Sequence, residues 1–392
     1  MNRNRISLLI YLFMLNFLIN GCASIIYKSI PLKDVAKTSG KYFVGTQNFQ
    51  LVDSSRSMWF TDGIKGYRTL SVKMWYPADE SSLSERAPYV DQYELIAKAL
   101  STSLGVPEAL MSRAGAVKCN SWLNADISIG NFPIMIYSHG HQSLKIANTF
   151  QAEEIASNGY IVIAPDHTYD AALTIINKDK IIYTRSKLPN NDEEAEKPGM
   201  IKRVEEQLNI RVEDISFVID KMIEKFSKDQ QFNQSADFEN IGIFGHSFGG
   251  CTAIMAAHND NRIDAILGLD AYFLPLPNYI IEKDINKPFI HLGQTSWGDS
   301  NNYELMKILG SNNSQNSFHF SVEGSKHNDF TDFSQFTKLT RKFGSGKVPR
   351  KIMRNIMNDV TLQFFNYHLK SIDTFDVNQF ENKYERVKTY VH

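Results

Sequence analysis

Ser247 sits between glycines in Gly245-His246-Ser247-Phe248-Gly249, which fits the pattern G-x-S-x-G. The apolar run before it reads as a strand, and the small and apolar residues after it resume at helical spacing. That is the context of a sharp turn presenting a serine hydroxyl as a nucleophile. Glycines are needed there because strand and helix approach closely around a strained backbone. A serine hydroxyl attacks poorly until a base takes its proton, and the base needs an acid to fix its tautomer and stabilise its charged form. Asp270 lies in AILGLDAYFLPL directly after a strand-like run, and His327 lies in FHFSVEGSKHNDFTDF shortly after another. Acyl transfer also needs two N–H donors for the developing oxyanion. The backbone amide of Phe248 follows the nucleophile, and the His139-Gly140 turn in PIMIYSHGHQS lets the amide of His141 face the same point.

These residues must be carried by strand ends. Short apolar runs bounded by turn residues predict strands at 69–75, 132–137, 160–164, 240–244, 263–269, 288–292 and 317–322. Between them Leu208, Val212, Ile215, Val218, Ile219 and Met222 recur at helical intervals, as do Ile352, Ile356, Val360, Phe364 and Phe365. Alternating strands and helices predict an α/β class with a mostly parallel central sheet flanked by helices. The order Ser247, Asp270, His327 matches the serine, acid, histidine order of the α/β-hydrolase fold. Asp264 falls inside a predicted strand and Asp299 follows the next one, so both compete less well as the acid. His291 and His319 sit within apolar strands and read as core or face residues, and His258 and His368 sit on predicted helices.

The N-terminus reads as an address. Met1 to Arg5 is a short basic region, an apolar stretch runs from Ile6 to Ile19, and Ile19-Asn20-Gly21-Cys22 resembles a bacterial lipobox whose cysteine is acylated. An ordinary secretory signal or an uncleaved anchor are the alternatives. Residues 1–21 are then a lipoprotein signal peptide, 22–40 a lipidated tether and 41–392 one catalytic domain. Ala23 after the cysteine resembles lipoproteins sent on to an outer membrane, so the expected location is a bacterial cell envelope. Cys119 and Cys251 remain; the latter reads as a small buried hydrophobe. His139 and His141 form the one HxH, weak evidence for zinc without a carboxylate at defined spacing, and no metal or other cofactor is expected. With 42 Lys and Arg against 43 Asp and Glu, nothing suggests a polyanion-binding surface built on bulk charge, so nucleic acid is not an expected partner.

The ordered set YSHGHQS, IASNGYIVIAPDH, GHSFGG, LDAYFLPL and GSKHNDFTDF resembles the platelet-activating factor acetylhydrolase family, the lipoprotein-associated phospholipases, from about residue 42 to about 370. The resemblance implies a calcium-independent serine esterase that removes short or oxidised acyl groups from the sn-2 position of phospholipids. By motif position it implies Ser247 as nucleophile, Asp270 as acid, His327 as base, and the amides of His141 and Phe248 as oxyanion donors. The family often has leucine where His141 stands; a backbone donor survives that change, while the acyl pocket need not. A general esterase of dienelactone-hydrolase or polyester-hydrolase type would share every catalytic residue, and a noncatalytic envelope lipoprotein would reuse the fold. The partners expected are a phospholipid or other ester, and a membrane surface reached through lipid on Cys22. The segment 93–104, YELIAKALSTSL, reads as either an interfacial or a cap helix. The insert 173–198 reads as an edge hairpin, LTIINKDKIIYT, followed by a solvated acidic loop at 192–196.

Overall fold

The computed structural model describes residues 35–61, 63–96, 117–189, 192–297, 301–336, 338–372 and 374–391. Its strands are β1 (Phe43–Ser57), β2 (Tyr67–Ala78), β3 (Arg86–Pro88), β4 (Lys118–Leu123), β5 (Phe132–Ser138), β6 (Ile161–Asp166), β7 (Leu173–Asn177), β8 (Lys180–Tyr183), β9 (Ala236–His246), β10 (Ile263–Leu269), β11 (Phe289–Gly293), β12 (Ser317–Val322) and β13 (Val387–Val391). The longer helices are α1 (Thr149–Ser157), α2 (Pro198–Ser227), α3 (Phe248–Asn259), α4 (Asn302–Asn312) and α5 (Arg350–Lys370).

An 11-stranded sheet runs in the order β13-β12-β11-β10-β9-β5-β6-β2-β1-β4-β3. Its centre, from β12 to β6, is parallel, and antiparallel partners β13 and β2 close the two sides of that run. Parallel strands buried on both faces read as continuous apolar runs, which is what β5 and β6 are. Within each strand the side chains alternate between faces. Ile134 and Ile136 of β5 join Ile241 and Ile243 of β9 in a core covered by Leu208, Val212 and Ile215 of α2 and Ile254 of α3. Met135 and Tyr137 join Phe244 in a second core covered by Ile155 of α1 and Ile356, Val360 and Phe364 of α5. The sheet with helices on both faces is an α/β-hydrolase architecture.

The register aligns the strand ends. Ser138 of β5 pairs with Gly245 of β9, His246 of β9 with Leu269 of β10, and Leu269 with Leu292 of β11. Loops leaving these ends are therefore neighbours, at the edge where open parallel sheets place their ligands.

Two local expectations change. LTIINKDKIIYT does form a hairpin, but β7 and β8 make their own two-stranded sheet and extend no edge of the main one. The place beside β6 is already taken by β2. The acidic run is not a loop throughout, because Asp192–Ala195 forms one helical turn that leads into α2, where proline occupies the first turn. Of the segment 93–104, residues 93–96 are helical and 97–104 lie outside the described residues, as does Cys22 with the whole N-terminal address. No described helix is long and apolar enough to cross a membrane.

Candidate active site

The turn between β9 and α3 explains its own sequence. Ser247 has φ 56° and ψ −121°, a conformation that a side-chain-bearing residue adopts only under constraint. A β-carbon on Gly245 would lie 2.1 Å from the carbonyl oxygen of Gly249, and one on Gly249 would lie 2.0 Å from that of Ser138. Glycine is thus required on both sides of the serine, by the helix that begins there and by neighbouring β5. The Ser247 N–H donates to the Leu269 carbonyl at 3.0 Å, tying the turn to the end of β10.

Asp270 follows that strand end, also at positive φ (42°). Its carboxylate is fully buried and accepts hydrogen bonds from five donors. His327 Nδ1 donates at 2.7 Å, Gln294 N and Nε2 each at 3.0 Å, Trp297 Nε1 at 3.2 Å and the Tyr303 hydroxyl at 2.6 Å. Burial by itself would raise its pKa, but the hydrogen bond and charge of His327 and the Tyr303 hydroxyl bring it down to about 2. The group is a carboxylate at any neutral pH. His327 itself is partly open, its side chain 34% exposed. Its ring lies against His246 at 4.4 Å between centroids and edge-on to Trp297 at 4.9 Å. His246 Nε2 donates to the His327 carbonyl at 3.0 Å, which holds the loop after β12 against the serine turn.

The loop after β5 closes the other side. A β-carbon on Gly140 would come within 3.4 Å of Ser247 Cβ, so the turn containing His141 is pressed against the serine. The rings of His141 and Phe248 meet edge to face at 6.5 Å. Among the described residues neither the His141 nor the Phe248 N–H has an acceptor. The structure therefore brings Asp270 and His327 into direct contact and sets the turn that carries His141 beside Ser247, while among the described residues no hydrogen bond joins the Ser247 hydroxyl to His327. Such bonds are often long without substrate.

The competing residues lie elsewhere. Asp264 Oδ2 accepts from the Ile241 N–H at 2.9 Å near the opposite ends of the strands, and Asp299 is outside the described residues. His291 Nε2 accepts from the Ala271 N–H at 3.0 Å inside the core. Cys119 and Cys251 are both free and buried, and burial pushes the Cys251 thiol up, away from the thiolate form. Among the described residues no group of three or more His, Cys, Asp and Glu could hold a metal ion.

Gln294, Trp297 and Tyr303 were not anticipated from sequence as partners of the acid. Their one local signal is that Gln294 directly follows β11, the strand in register beside the one that ends at Asp270.

The chain has recognisable relatives. The family described as platelet-activating factor acetylhydrolase, isoform II, matches residues 27–390. The platelet-activating factor acetylhydrolase of Cavia porcellus is 25% identical over 343 residues, covering 81% of this chain and 77% of that protein. That of Canis lupus familiaris is 24% identical over 369 residues, covering 89% and 80%. A ferulic acid esterase from Streptomyces cinnamoneus shares the fold, with a TM-score of 0.70 and 24% identity over 91% of this chain and 98% of that one. The chain belongs to the platelet-activating factor acetylhydrolase, isoform II, family and is an ester hydrolase.

Proposed function

We propose that the chain hydrolyses its ester through an acyl-enzyme on Ser247, with phospholipids bearing a short or oxidised sn-2 acyl group as substrates. The observation that carries the mechanism is the 2.7 Å hydrogen bond from His327 to the buried Asp270 carboxylate, beside the strained turn of Ser247. With Nδ1–H committed to Asp270, the other ring nitrogen of His327 is the base. It takes the Ser247 proton as Oγ bonds to the ester carbon, and the carbonyl electron pair moves onto oxygen, facing the N–H groups of His141 and Phe248. Collapse of this intermediate breaks the bond to the leaving alkoxide, which takes the proton from the imidazolium, leaving the acyl group on Ser247. Water then attacks the acyl-enzyme by the same two proton transfers, releasing the acid and restoring the serine.

Family membership supports the phospholipid class, and a physical argument supports the chain length. Each methylene favours the bilayer by about 0.8 kcal/mol, so drawing a long chain into the cleft is opposed by many such terms and a two-carbon chain by few. A homologous series of phosphatidylcholines, assayed with chelator present beside simple nitrophenyl esters, tests this. We expect kcat/KM to fall steeply as the sn-2 chain lengthens. Turnover of the simple esters with no phospholipid cleavage at any length would leave only a general esterase. The same reading holds the chain on a bacterial outer membrane through lipid on Cys22. Cys22→Ala should then release it to the soluble fraction or leave it unprocessed, and wild-type protein without acyl mass on its N-terminal peptide would overturn the anchor.

A further inference from the structure

The peptide that carries the His141 amide has glycine on one side, so its plane is free to turn at little steric cost. In a trans peptide the carbonyl and N–H point in opposite directions, so whatever holds the Gly140 carbonyl also aims the His141 N–H. The Gly140 carbonyl is held twice, by the Ser143 N–H at 3.1 Å and by His139 Nδ1 at 2.7 Å.

The second of these requires a particular proton position. The far nitrogen of the same ring, His139 Nε2, lies 3.0 Å from the backbone N of His167. A backbone N–H can only donate, so Nε2 must accept and carries no proton. The ring proton is therefore on Nδ1, where it points to the Gly140 carbonyl. Burial keeps the ring neutral, with the nearby Arg211 and His167 adding to the effect. The preceding peptide is fixed as well, because Arg211 donates to the His139 carbonyl and, at 3.0 Å, to Ser138 Oγ. Arg211 is itself anchored by Asp170 and by Thr252 of α3, and its guanidinium stacks over the Phe248 ring at 4.8 Å.

We propose that His139 is a positioning residue for the reaction: its imidazole, held in the Nδ1–H tautomer by the His167 amide, locks the Gly140–His141 peptide so that the His141 N–H faces Ser247. This rests on the reading of Ser247 as nucleophile and His141 N–H as oxyanion donor. His139 touches no substrate. Its effect is felt only when negative charge develops on the substrate oxygen.

Replacement by the two carboxamides tests it. Asn places an N–H where Nδ1 stands, whereas Gln places it nearer the Nε2 position. His139→Gln should lower kcat by about 100-fold, the loss seen when one oxyanion donor is removed, with KM little changed. It should also narrow the preference for an ester over the matching thionoester, since donors aimed at oxygen create that preference. His139→Asn should recover most of both. A folded His139→Gln with wild-type kcat, or equal losses in both variants with an unchanged ester-to-thionoester ratio, would overturn the proposal. If neither variant folds, nitrogen NMR of the wild-type imidazole decides, since a proton on Nε2 at the working pH is incompatible with the lock. Ser247→Ala separates the two levels. Full activity in that variant would defeat the serine mechanism itself, whereas an inactive Ser247→Ala beside a fully active His139→Gln would defeat only the role of His139.

Discussion

Two Ser–His–Asp arrays lie within this fold. One is Ser247, His327 and Asp270 at the ends of β9, β10 and β12. The other is Ser138, His167 and Asp214, with Ser138 Oγ 3.0 Å from His167 Nε2 and His167 Nδ1 2.9 Å from Asp214 Oδ2. By hydrogen-bond connectivity the second is the more complete, since its serine already contacts its histidine. Yet all three of its residues are fully buried, its serine lies in strand β5, and Arg211 already donates to that serine's oxygen. Burial, with the positive charge of Arg211 beside it, lowers His167 to about 4, and Asp214 is held charged by Arg68. The first array shares a buried, charged acid in Asp270 but differs otherwise: its serine sits in a strained turn, its histidine is partly open, and among the described residues the two amides have no acceptor and no cation contacts the serine oxygen. On the proposal that Ser247 is the nucleophile, the order of partners would not be what makes an array reactive; access, a free oxygen and unengaged donors would be. The buried array instead ties β5, β6 and α2 together beneath the loop that bears His141.

The largest effect expected from this contrast is at the serines. Ser247→Ala should lower kcat by about a million-fold and abolish labelling by a fluorophosphonate, whereas Ser138→Ala should keep the label and lose about 1–3 kcal/mol of stability. Labelling that moves to Ser138 would break the comparison. The acids come next. Asp270→Asn should leave the fold intact and cost about 10,000-fold in kcat, while Asp214→Asn strands the buried Arg68 and should cost about 3–5 kcal/mol of stability. Equal stability losses in the two, measured by denaturant titration, would erase the distinction.

The smallest effect concerns pH. His167 and His246, lowered chiefly by burial to about 4 and about 3, stay neutral in the folded chain well below the ordinary value of 6.5. The unfolded chain takes up those protons first, so stability is full above pH 6.5 and falls as the pH drops through 6.5 toward 4. The denaturation midpoint should decline across that interval, and a level midpoint would mean that these rings are not kept neutral.

Much of the fold was legible because the central strands are buried on both faces and read as plain apolar runs. β1 was not, since beyond Val44 to Thr46 it alternates with exposed polar residues along QNFQLVDSSRS, and β13 pairs only along the outer edge of β12. The positions of Ser247, Asp270 and His327 could be proposed because each follows a strand end, a local feature of the chain. The donors around Asp270 and the grip of Arg211 on the His139 carbonyl could not. Arg211 and His139 are 72 residues apart, Arg68 and Asp214 are 146 apart, and only pairing of the sheet brings such residues together.

The pairing of β5 with β9 bears on how the chain folds. Asn131 and Asp237, which begin this neighbourhood, are separated by 106 positions that include α1, β6, the hairpin and the whole of α2. Contacts between such distant segments must overcome the entropy of closing a long loop, and they form slowly. The turn of Ser247 is built directly on this late pair, with Gly249 packed against the Ser138 carbonyl at the end of β5. Hydrolytic competence should therefore arise among the last events of folding, after α2 has packed, and leave a partly folded chain unable to cleave esters.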